Sequence, residues 1–124
     1  MNKIIKISIG LLCVLFLILG IKTMFDPTGV FTKYGLTAMD TNGLNTIRGH
    51  LGGTLLAASA MMAIGLWKKE TMWFLAVAVF MLSVGFGRIV GFAFDGVAMD
   101  AVPIFISELV IAGLMFAAHK YPPR

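Results

Sequence analysis

Asn45-Thr46-Ile47-Arg48-Gly49-His50-Leu51-Gly52-Gly53 is the stretch on which the reading of this chain turns. It sets an arginine and a histidine just inside an apolar run, 44–67, that otherwise reads as buried in a membrane. Working outward, 59% of the 124 residues are hydrophobic and 13% charged, against roughly a quarter charged in an ordinary soluble domain. The chain is therefore expected to be an integral membrane protein forming one domain, 1–124. The net charge of +4 does not indicate nucleic acid as a partner, because the basic residues fall at the ends of apolar runs and form no single patch.

Cys13 is the single cysteine, so there is no disulfide framework, no Cys/His metal spacing and no basis for redox chemistry. Lys3 and Lys6 precede an apolar core at 7–21, which has the look of a signal peptide. Leu19-Gly20-Ile21-Lys22 is a poor cleavage site, and the bulky residue before Cys13 does not suit a lipoprotein signal. The segment reads as a retained anchor.

Apolar runs at 4–24, 44–67, 72–94 and 102–121 each approach the ~20 residues needed to cross a hydrocarbon core as a helix. Only helices suit them, because backbone groups in lipid must be satisfied within the segment. The fold expected is all-α, a polytopic membrane bundle of four transmembrane helices. In the first connection Asp26 suits an N-cap, Pro27 a first helical position and Gly35 a stop after Tyr34. A short interfacial helix is expected there, lying on the membrane through Val30, Phe31 and Tyr34. Lys68-Lys69-Glu70 makes a tight turn, Asp95-Gly96 marks another, and Asp100 suits a cap for the last helix with Pro103 in its first turn.

Positive residues of short loops stay on the cytoplasmic side. With four spans, Lys3, Lys6, Lys68, Lys69, Lys120 and Arg124 share one face, and Asp26, Asp40, Asp95 and Asp100 lie opposite with Lys22 and Lys33. Both termini are thus expected inside, and Trp67, Trp73 and Tyr121 fall where an inner aromatic belt would run. Counted from the outer helix ends, Arg48, Arg88 and Glu108 then sit roughly 8–12 Å below the outer boundary, with His50 at a similar level. Ionisable residues at such depth usually face protein and pair. Glu108 is expected to be ionised and paired with at least one of these arginines. Gly49, Gly52, Gly53, Gly87 and Gly91 flank them as small residues that permit close helix packing.

The pattern Asn45-x-x-Arg48-Gly49-x-x-Gly52-Gly53, then Gly87-Arg88-x-x-Gly91-x-x-x-Asp95-Gly96, then Glu108, resembles domain-of-unknown-function family 4345. The likeness covers nearly the whole chain. It implies a four-helix protein of the bacterial cytoplasmic membrane and carries no assigned activity. His50 departs from the pattern.

Three functions compete. The first is binding or transport of an amphipathic anion, such as a lipid head group, by Arg48, Arg88 and Glu108 with His50, Asn45 and Asp95. The second is an accessory role in a larger membrane complex or homodimer, the charged layer only fixing helix register. The third, a lipid-modifying enzyme using Glu108 and His50 as acid and base, is least favoured because no nucleophile, metal or cofactor motif accompanies them. Membrane lipids are the expected partners, with no cofactor.

Overall fold

The computed structural model describes residues 2–122, so Arg124 lies outside them. The described chain is helical, without strands: α1 (Asn2–Phe25), α2 (Pro27–Phe31), α3 (Thr41–Thr46), a π-helical segment (Ile47–Gly52), α4 (Gly53–Lys68), α5 (Met72–Asp95) and α6 (Val102–Lys120). Four stretches are long and apolar enough to cross a membrane: Lys3–Phe25, Thr41–Lys68, Met72–Asp95 and Met99–Lys120, of 23, 28, 24 and 22 residues. The second of these begins three residues earlier than hydropathy suggests, because the Asp40 carboxylate accepts from the Gly43 N–H at 2.8 Å and caps α3 ahead of the apolar run.

The described residues form two compact units, 8–63, and 64–122 with 2–7. In unit 8–63, α1 and α4 run antiparallel. Ser59 donates to the Cys13 carbonyl at 2.8 Å, and the Cys13 thiol lies 3.3 Å from the Ser59 carbonyl. One to two turns further along α1, Gly20 meets Leu56, and beyond it Met24 meets Gly52. A Cβ on Gly20 would stand 2.8 Å from the Leu56 side chain and 3.1 Å from its backbone nitrogen, so the helices approach this closely only because glycine is there.

The connection after α1 carries the expected turn chemistry. Asp26 accepts from the Gly29 N–H at 3.1 Å with Pro27 opening α2, and Gly35 adopts φ +79° where the Leu36 N–H returns to the Phe31 carbonyl. Val30 and Pro27 are buried and α2 packs on the π segment, while Tyr34 remains exposed. Of the apolar side chains expected to face the membrane surface, Val30 is thus taken up by protein.

In unit 64–122, the turn at Lys69 (φ 57°) joins the end of α4 to α5, and Glu70 accepts from the Trp73 indole N–H at 3.0 Å. Gly65 lies against the ring of buried Phe74, 2.7 Å from where a Cβ would be. The α5–α6 hairpin then buries Val77, Ala78 and Met81 of α5 and Ala112, Met115 and Ala118 of α6. Near its turn Phe92 and Phe105 meet edge to face, with centroids 5.8 Å apart. Asp95 ends α5 and Gly96 turns the chain with φ +90°. Asp100 does not cap α6: it lies within a 3₁₀ turn, Met99–Ala101, that runs straight into the helix, so its backbone is already helical where an N-cap needs extended geometry.

Candidate functional site

Arg88 stands two turns before the end of α5, and Glu108 nearly two turns into α6. Because the two helices form a hairpin, the residues come level. The Arg88 Nε–H is shared between both Glu108 carboxylate oxygens, at 2.9 and 2.8 Å. Glu108 is buried, with its side chain 10% exposed, whereas the Arg88 side chain is 32% exposed. The pairing follows from that burial: a carboxylate shut into an apolar hairpin is stable only with a cation at hydrogen-bonding distance.

The guanidinium carries four further N–H donors on its two terminal nitrogens. Among the described residues none of these has a hydrogen-bond partner. Arg88 is one of the residues lining an open depression of about 370 Å³, with Val84, Gly87, Gly91, Phe92 and Asp95, and Gly96 and Ala98 at its end. Neither Gly87 nor Gly91 has any atom within 4 Å of where its Cβ would be, so the floor of the depression is bare helix backbone. Asp95, seven residues beyond Arg88, returns to the same face of α5. It forms no ion pair with Arg88.

Arg48 lies in the other unit, in the π segment, where its guanidinium donates to the Met24 carbonyl. Met24 is in the last turn of α1, whose final carbonyls lack intrahelical partners, so Arg48 caps that helix and lays positive charge at its negative end. His50 and Asn45 are both exposed, and no hydrogen bond links either to Arg48. Of the glycines expected to pack helices, Gly52 does so against Met24, while Gly49, Gly53, Gly87 and Gly91 have open space above them among the described residues. Close packing falls on Gly20 and Gly65 as well, which nothing in their local sequence singles out.

The π-helical turn at Ile47–Gly52 is the feature that sequence periodicity missed. A π turn widens the helix by one residue and is frequent at functional sites. Three glycines within 49–53 are the signal in the sequence, since glycine's backbone freedom and low helix propensity ease a departure from α geometry. The polar contact of His119 Nδ1 with the Thr71 carbonyl at 3.2 Å, tying the end of α6 to the start of α5, was likewise not anticipated.

Four membrane-length helices, with an ion pair buried between two of them, define a multi-pass helical membrane protein. The model of the family described as "Domain of unknown function (DUF4345)" matches residues 4–119, and the chain belongs to that family. No curated protein and no solved structure matches it.

Proposed function

We propose that this protein binds the phosphate of an amphipathic lipid head group at Arg88, in the outer half of a bacterial cytoplasmic membrane. The observation that carries this reading is the unequal use of the guanidinium. One nitrogen holds Glu108, the two terminal nitrogens have no hydrogen-bond partner among the described residues, and Arg88 lines an open depression. A planar guanidinium donates paired hydrogen bonds to phosphate or carboxylate, which a lysine in this place would not do. Glu108 then acts as a positioning residue, holding the fork in one orientation. Arg48, engaged with Met24, serves α1 first.

Orientation supports the depth. Lys3, Lys6, Lys68, Lys69 and Lys120 fall at one set of helix ends, which supports an orientation with the α5–α6 turn and its depression outside. Transport of the same ligand would need a second copy, because four helices are few to enclose a path. One observation favours the accessory reading: Gly49, Gly53, Gly87, Gly91 and Gly113 are open to approach and would accept a helix from another protein.

Thermal stability in detergent separates the two. A phospholipid should stabilise the wild type more than a diacylglycerol of the same acyl chains, and Arg88→Gln should remove the difference. Equal stabilisation by both lipids would dismiss the phosphate site in favour of the accessory role.

A further inference from the structure

The depression that holds Arg88 ends on a second charge. Asp95 is the last residue of α5, where the helix dipole already presents negative potential and a carboxylate is electrostatically misplaced. Among the described residues it has neither a hydrogen-bond nor an ion-pair partner. The final carbonyls of α5 compound this, because Gly96 turns away at φ +90° and no capping N–H returns to them. The outer end of the depression is therefore a cation-seeking corner, and its inner end is a phosphate-seeking guanidinium.

Resting on the phosphate reading above, we infer that the depression selects a zwitterionic head group, with phosphate on Arg88 and a primary ammonium on Asp95, as in an ethanolamine phospholipid. Charge favours it over a purely anionic lipid. Glu108 already neutralises Arg88, so Asp95 leaves the local set of three charged groups with a net negative charge. A second anion arriving without a cation would meet that excess.

Placement agrees as well. Arg88 and Asp95 lie seven residues apart on one face of the helix, and both line the depression. Gly91 lies between the two charges with nothing within 4 Å of its Cβ position, so the linker can lie against backbone.

The test uses the full-length protein in detergent, titrated with phosphatidylethanolamine, phosphatidylglycerol and diacylglycerol of matched chains, with protection against heat as the readout. Wild type should prefer phosphatidylethanolamine over phosphatidylglycerol about fivefold in apparent affinity, the ratio an exposed charge pair reaches at its upper end. Asp95→Asn, an exposed change that leaves the Arg88–Glu108 pair intact, should lose that preference while still favouring either phospholipid over diacylglycerol. Gly91→Leu, which puts a side chain into the depression where a Cβ meets no atom within 4 Å, should lose protection by both phospholipids. Soluble phosphoethanolamine should protect poorly; protection equal to that of the lipid would overturn the lipid as ligand. Wild-type binding of phosphatidylglycerol as tight as phosphatidylethanolamine, or a preference unchanged in Asp95→Asn, would overturn the zwitterion inference and leave the phosphate site standing. Phospholipids no better than diacylglycerol would overturn both.

Discussion

Arg88→Gln and Glu108→Gln remove the two halves of one ion pair, and they should not cost the same. Arg88→Gln takes the cation from a carboxylate that is buried and receives both its contacts from a single nitrogen, at 2.9 and 2.8 Å. Leaving a buried charge unpaired costs about 3–5 kcal/mol. Arg88 is 32% exposed, so water and head groups reach the side it vacates, and about 2–3 kcal/mol is the loss expected. Glu108→Gln leaves an amide oxygen that still accepts from Nε, and strands a guanidinium exposed enough to find other partners. Its loss is the difference between a charged and a neutral hydrogen bond, about 1 kcal/mol. The double variant should fall short of the sum of the singles, as expected for groups in direct contact. Equilibrium unfolding in mixed detergent micelles measures all three. Glu108→Gln costing as much as Arg88→Gln, or strictly additive losses, would refute the argument that the burial of Glu108 sets the energetics of this pair.

Glycine substitutions should sort by the space above them: Gly20→Ala should destabilise by about 1–3 kcal/mol through overpacking against the Leu56 backbone, whereas Gly91→Ala should be neutral or gain up to about 1 kcal/mol of helix propensity, both read by the same unfolding assay. Arg48→Gln should cost about 1 kcal/mol by uncapping α1, with the effect confined to unit 8–63; hydrogen exchange should rise in the last turn of α1 and leave the α5–α6 hairpin unchanged. Single cysteines at Lys33 and Lys69, in a Cys13→Ala background, should differ in labelling by an impermeant thiol reagent on intact cells, and labelling at Lys69 with none at Lys33 would reverse the orientation.

Span positions were legible because lipid demands an uninterrupted apolar run, and 72–94 differs from α5 by one residue. The start of the second span was less so, because Asp40 caps α3 three polar residues before the run begins. Arg88 and Glu108 could be matched from sequence, since a carboxylate inside a span needs a cation and hairpin connectivity brings these two level. Arg48 could not be placed the same way. Its acceptor is a backbone carbonyl, which has no signature in sequence, and it sits in a π turn that breaks the 3.6-residue count used to assign helix faces. Glycine roles were the least legible. Whether a glycine is packed or open depends on the residue across from it, Leu56 for Gly20 and Phe74 for Gly65, and not on its own neighbours.

The proposal that Arg88 holds a lipid phosphate is tested most directly by native mass spectrometry of the protein purified gently from its membrane, with wild type, Arg88→Gln and Gly91→Leu compared. Wild type should retain about one phospholipid per chain at collision energies that strip bulk detergent and annular lipid, and both variants should lose it while remaining folded by circular dichroism. Retention of the same lipid by folded Gly91→Leu, in which a side chain occupies part of the depression that Arg88 lines, would contradict the account.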